Sequence, residues 1–158
     1  MSKSCFFTGH RIIKITDTLS ERLRETLIEF IENGATDFYA GGAIGWDMLC
    51  ENTVLQLKKC YPNIKLHLIL PCPPEEQTSR WSMPQKNEYY RILKAADSVE
   101  TLSAAYHKDC MKIRNSRLVD LGDICVCYYN EQHRYGGTYQ TVHMAQERGK
   151  DICNLFRY

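Results

Sequence analysis

The chain has 158 residues, 44% of them hydrophobic, with 20 basic residues set against 19 acidic ones, and that length suits a single domain, residues 1–158, around one sizeable core. The two signs of charge are interspersed, so no basic stripe points to a nucleic-acid partner and no charged tail to a scaffold. No apolar run approaches the roughly 18 residues that a membrane helix needs, and the start, MSKSCFFTGHR, is too short an apolar segment for a secretory signal, so a cytoplasmic protein without a membrane partner is expected.

In chain order, residues 5–8 read as a first strand. Thr18 and Glu21 have the spacing of a capping box, and Leu19, Leu23, Leu27, Phe30 and Ile31 follow at helical intervals until Asn33 and Gly34 stop the run. A short strand at 37–40 leads through a glycine turn into a helix that must end before Pro62. Residues 64–70 form a third strand, stopped by the run Pro71, Cys72, Pro73, Pro74. A long polar loop then precedes a helix over about 84–96. A strand at 98–102, a helix over about 109–121, a strand at 124–129, a helix over about 138–148 closed by Gly149 and a strand at 151–155 complete the series. Strand and helix alternate five times and a strand ends the chain. The expected fold is therefore α/β, a Rossmann-like three-layer sandwich with a mostly parallel sheet and helices on both faces.

In such a sheet the segments that follow strands gather at its carboxyl edge, where ligands bind at the point of reversed strand order, here expected between the first and fourth strands. Those segments carry the distinctive residues. Gly41, Gly42, Ala43 and Gly45 stand between a strand and a helix, where glycine allows positive φ and lets backbone amides approach an anion, so a phosphate is the expected guest. Asp47 either caps that helix or holds a ribose hydroxyl. Gly136, Gly137 and Thr138 repeat the arrangement at the start of the last helix, and Thr8, Gly9, His10 and Arg11 add a hydroxyl, an imidazole and a guanidinium after the first strand. For His10 a structural hydrogen bond and a chemical role stand level. Arg114 and Asn115 lie just past the fourth edge loop, where Arg114 can face the cleft. Most aromatic side chains belong to the core, with Trp46 and Trp81 the best placed to stack on a base. The loop that carries Gln77 and Trp81 is long enough to close as a flap.

Eight cysteines include no C-x-x-C pair. Cys5, Cys125, Cys127 and Cys153 fall in strand-like stretches, where a reduced thiol acts as a small core hydrophobe, so neither a metal nor a cofactor is expected.

Together, the segments Thr8 to Arg11 and Gly41 to Asp47, Gln77 with Trp81, Arg114 with Asn115, and Gly136 to Thr138 followed by Ala145 resemble the YpsA-like branch of the SLOG superfamily over nearly the whole chain. The resemblance implies a Rossmann-like fold, a nucleotide-like small-molecule ligand such as an ADP-ribose relative, and a homodimer. Distant relatives in that superfamily are the LONELY GUY phosphoribohydrolases and DNA-processing protein A. The phosphoribohydrolases carry a glutamate three residues after the motif threonine, and here that position is Thr141. A threonine supplies no carboxylate for acid–base work or for charge developing on a ribose. Asp47, Glu51 and Asp120 are the nearby carboxylates. A binding or sensor role is therefore expected ahead of hydrolysis of a nucleotide-like substrate, and single-stranded DNA binding ranks last because the balanced charge offers a backbone no track.

Overall fold

The computed structural model describes residues 3–156. Six strands, β1 (Lys3–Gly9), β2 (Ala35–Ala40), β3 (Lys65–Leu70), β4 (Ser98–Thr101), β5 (Ile124–Tyr128) and β6 (Asp151–Asn154), alternate with α1 (Asp17–Glu32), α2 (Trp46–Leu57), α3 (Pro74–Gln77), α4 (Met83–Ala95), α5 (Cys110–Leu121) and α6 (Gly137–Glu147). All the strands are parallel, in the order β4-β3-β2-β1-β5-β6. This is the expected α/β Rossmann-like sandwich. Strand order reverses between β1 and β5, not between the first and fourth strands as expected, because the chain builds outward to β4 before crossing back to the other side of β1.

The central strands read as unbroken apolar runs because both of their faces are covered. Cys5, Phe6 and Phe7 of β1 are wholly buried, as are Cys125, Val126 and Cys127 of β5. One face packs α1, α2 and α4 against Phe7, Phe38, Leu66 and Leu68, and the other packs α5 and α6 against Phe6, Ile69, Cys125 and Cys127. The outer strands are shorter and more polar, and half of the Val99 surface remains exposed on β4. Among the described residues no helix is long and apolar enough to cross a membrane.

Local chemistry shifts some boundaries. The Thr16 side chain caps α1 by accepting from the Leu19 amide, so the expected capping box at Thr18 and Glu21 does not form. Thr18 lies inside the first turn, and the hydroxyl that reaches the third helical amide is the one on the residue before Asp17. A capping box does form at α4, where Ser82 and Gln85 satisfy each other's backbone amides. The polar loop after β3 is shorter than expected because Pro74 opens the extra turn of α3.

Candidate functional site

The ends of β1 and β5 lie side by side, with Thr8 paired to Cys127 and Gly9 to Tyr128. Beyond them a cleft of about 390 Å³ opens between the loop after β1, the start of α2, one face of α5 and the start of α6. Of the residues singled out in sequence, Thr8, Gly9, His10, Arg11, Ala43, Asp47, Arg114, Asn115, Gly136, Gly137 and Thr138 line it. Phe7, Met111, Leu118, His133 and Tyr135 also line it. His133 and Tyr135 stack on each other, at 5.9 Å between ring centres, in a polar stretch without periodicity, so position in the loop after β5 was the only available signal.

The start of α6 leaves its donors open. Gly136 precedes the helix with φ 93° and ψ 179°, no side chain caps it, and the first helical bond runs from the Gln140 amide to the Gly136 carbonyl. The amides of Gly137, Thr138 and Tyr139 therefore have no acceptor within the helix, which makes its positive end an anion site. Asn115 stands beside it: its carbonyl oxygen accepts from Arg114 Nε at 2.8 Å, which leaves the amide nitrogen as a donor near Gly137. Arg11 is exposed at the cleft mouth, and among the described residues no carboxylate pairs with it.

The glycine turn after β2 is used differently from the sequence expectation. Asp47 Oδ2 accepts from the amides of Gly41 and Ala43, each at 3.3 Å, and Glu51 Oε2 accepts from the Gly42 amide at 3.1 Å. The chain's own carboxylates thus take the place of a phosphate, and two buried acids there would repel one. Gly41, Gly42 and Gly45 do not line the cleft. At Gly41 a Cβ would lie 2.2 Å from Arg114 Nη1, and at Gly45 2.2 Å from the Arg11 carbonyl oxygen, so close packing is what these two positions require. Gly41 O in turn accepts from Arg114 Nη1 at 2.5 Å and from Gln77 Nε2 at 3.1 Å.

Buried charge concentrates under this turn. Burial pushes the carboxyls of Asp47 and Glu51 above their ordinary range, Glu51 strongly and with a further push from the Asp47 charge, while the turn amides and Arg114 work the other way. Burial also draws the Arg114 guanidinium down, against the support of Asp47. Among the described residues no fully buried side-chain nitrogen or oxygen lacks a partner. Asp47 Oδ1, which no donor reaches, therefore meets the cleft, where it can accept from a ligand hydroxyl.

The other sequence candidates divide. His10 Nε2 accepts from the Asn130 amide at 3.0 Å, so its proton sits on Nδ1, and burial followed by the neighbouring His133 lowers its pKa. A neutral His10 ties the loops after β1 and β5 together. Trp46 is wholly buried, with Nε1 donating to the Val126 carbonyl, so it belongs to the core and cannot stack on a base. Trp81 lines a neighbouring furrow instead of the cleft. Gln77 is buried and fixed between Gly41 and the Tyr89 hydroxyl, which anchors the expected flap. Thr141 is buried and donates to the Gly137 carbonyl; Glu51 lies beneath the turn, and Asp120 pairs with Arg148 on the surface. Among the described residues Asp47 is the one carboxylate that lines the cleft.

Comparison with known proteins places this geometry. UPF0398 protein BH1768 of Halalkalibacterium halodurans is 26% identical over 115 residues, 72% of this chain and 60% of that protein. A UPF0398 protein of Bacillus cereus is 24% identical over 144 residues, 90% of this chain and 76% of the relative. Among solved structures, DNA processing protein A from Helicobacter pylori, which binds single-stranded DNA, superposes with a TM-score of 0.63 at 18% identity, covering 95% of this chain and 63% of that one. The X-ray structure of TM1055 gives a TM-score of 0.55 at 17% identity, covering 95% of this chain and 72% of the other. At those identities the likeness is one of fold. Residues 7–156 match the YpsA profile, which takes in the whole switch-point cleft, and on that match the chain belongs to the YspA SLOG family.

Proposed function

We propose that this protein binds a nucleotide or nucleotide derivative in the cytosol, as a binding or sensor protein. The observation that carries the reading is the open start of α6, where Gly137 and Thr138, whose amides have no acceptor within the helix, line a cleft together with Asn115 and with Arg11, with which no carboxylate among the described residues pairs. A phosphate suits that end, and a ribose hydroxyl suits Asp47 Oδ1 on the opposite wall.

A binding role is favoured over hydrolysis because the cleft offers a single carboxylate among the described residues, already engaged by two turn amides, and because Thr141 is buried and does not line it. Calorimetric titration with AMP tests both readings. Arg11→Ala should weaken binding roughly ten- to a hundredfold, since it removes a charge-assisted contact, and Thr138→Ala only about two- to tenfold. A response to Thr138→Ala without one to Arg11→Ala would put the loop after β1 outside the site. No adenine should be released from AMP in the same samples; steady release would favour the hydrolase, with Asp47 as the first residue to replace.

A further inference from the structure

Away from the cleft, toward the amino ends of β2, β3 and β4, three polar side chains line up across the three strands. Asp37 pairs in register with Lys65, Tyr39 with His67, and His67 with Ser98. Alternation along each strand puts Asp37, Tyr39, His67 and Ser98 on one face of the sheet, the face that carries Ile69. His67 Nε2 stands 2.7 Å from Asp37 Oδ1, and His67 Nδ1 stands 2.5 Å from Ser98 Oγ.

The partners of His67 fix its protons. Burial raises the Asp37 carboxyl, but hydrogen bonds from His67 and Thr36 outweigh that and keep the group ionised. An ionised carboxylate only accepts, so Nε2 carries a proton, and in the neutral ring Nδ1 is left to accept from the Ser98 hydroxyl. That is the tautomer in which an imidazole acts as a base toward a serine. The ring is also held in place: Tyr39 lies over its face, at 4.8 Å between ring centres and 25° between planes, and the His67 side chain is only 16% exposed. Next to Ser98, the Asp97 amide donates to the Leu66 carbonyl at 2.8 Å, and the Asp97 carboxylate accepts from the Leu66 amide at 2.9 Å and pairs with Lys58. All three groups therefore stand on strands and not on loops. A second serine–histidine pair has the opposite polarity. Ser103 Oγ lies 3.0 Å from His107 Nε2, but His107 Nδ1 accepts from the Asp109 amide at 3.3 Å, so the neutral ring carries its proton on Nε2 and donates to Ser103.

We propose that Ser98 is an activated nucleophile with His67 as its general base and Asp37 as the positioning residue, and that this face of the sheet is a second site, which cleaves small esters. Ser98 Oγ attacks the ester carbonyl and passes its proton to His67 Nδ1. The bond from the carbonyl carbon to the leaving oxygen then breaks, and His67 returns the proton to that oxygen. Water, deprotonated by the same nitrogen, releases the acid and restores Ser98. Asp37 and the face of Tyr39 stabilise the imidazolium formed in between. Lys65, exposed on the same face two residues before His67, and Arg117, which reaches from α5 to Glu100 at 3.4 Å, are the cations available to the oxyanion. Lys65 and Ser98 are both exposed, and an open face encloses little of a ligand, so the class that suits it is a small ester with a good leaving group.

Diisopropyl fluorophosphate, which loses fluoride as a serine oxygen bonds to its phosphorus, and 4-nitrophenyl acetate are the probes, used on the intact protein. Peptide mass spectrometry after the fluorophosphate should find Ser98 labelled at least about tenfold faster than Ser103. That comparison is made within one molecule and does not depend on how any variant folds. Turnover of 4-nitrophenyl acetate should fall at least about tenfold in Ser98→Ala and in His67→Gln, which keeps a polar group beside Asp37 but offers no base. Asp37→Asn should slow labelling of Ser98 by a similar factor, and Asp37→Glu should restore part of the rate, a recovery that strand packing alone would not produce. Label absent from Ser98, label shared evenly with Ser103, or labelling unchanged in His67→Gln would each show that the three side chains only tie the strands together.

Discussion

Glu51 shows how a single residue changes meaning between sequence and structure. Its carboxyl is buried beneath the glycine turn and raised well above the ordinary value of 4.5 by burial first and by Asp47 second. Folding therefore takes up a proton in the interval between that value and the raised one, and stability declines as pH increases through it. Glu51→Gln keeps an oxygen for the Gly42 amide and removes the titration, so the variant should gain on the parent steadily as pH is raised above 4.5. The decline should shrink and not disappear, because Asp47 is displaced in the same direction. Denaturant midpoints for the two proteins between pH 4.5 and 8 test this, and parallel curves would contradict it. Asp37 acts with the opposite sign in a different window: burial raises its carboxyl, but hydrogen bonds from His67 and Thr36 outweigh that and leave it lowered. Its contribution is complete above the ordinary value of 3.8 and is lost as pH falls below.

At the scale of elements, the helices divide by how their first turns are closed. α1 and α4 are capped by Thr16 and Ser82, and α2 folds its own Asp47 back onto the preceding turn. α6 has no such closure. Gly136 holds its entry at φ 93° and ψ 179°, a region open essentially to glycine alone, and an added Cβ would meet nothing within 4 Å. Torsion is therefore the whole reason for glycine at that position. Gly136→Ala should cost about 1–3 kcal/mol of stability by backbone strain without any clash, and it should weaken AMP binding by turning the first amides of α6. Unchanged thermal stability together with unchanged affinity would show that neither this turn nor the amides it aims matter to the site.

For the molecule as a whole, the parallel sheet brings together residues more than 120 positions apart, and the charge gathered at the cleft is local: Arg11, Arg114 and Asp47 line it together, with Asp47 close enough to both arginines to feel their charge. Binding that follows a nucleic-acid backbone weakens with salt in proportion to the phosphates neutralised. Two arginines offset by a carboxylate give a shallow dependence. Between 50 and 200 mM salt, AMP affinity should change by less than about tenfold, and an oligodeoxythymidine should bind weakly and be lost first. Tight oligodeoxythymidine binding with a steep salt slope would instead align this protein with its single-stranded DNA binding structural neighbour.

Periodicity and composition determined the layers of this protein. Apolar runs of strand length between helical repeats permit little except a parallel sheet covered on both faces, and glycines after strands mark its carboxyl edge, so Thr8 to Arg11 and Gly136 to Thr138 could be placed in one cleft from sequence. Which glycine element stays open was decided only by tertiary structure. Gly41 to Gly45 and Gly136 to Gly137 look alike along the chain, but hydrogen-bond partners are chosen in three dimensions: α2 turns Asp47 and Glu51 back onto the first set of amides, whereas the buried residue one turn into α6 is Thr141, whose hydroxyl is spent on the Gly137 carbonyl. The same holds for the two tryptophans. Both follow glycine-bearing or proline-bearing edge segments in sequence, and the packing of β1 against β5 buries Trp46 beneath the cleft while Trp81, held by Tyr89, remains at the wall of the furrow.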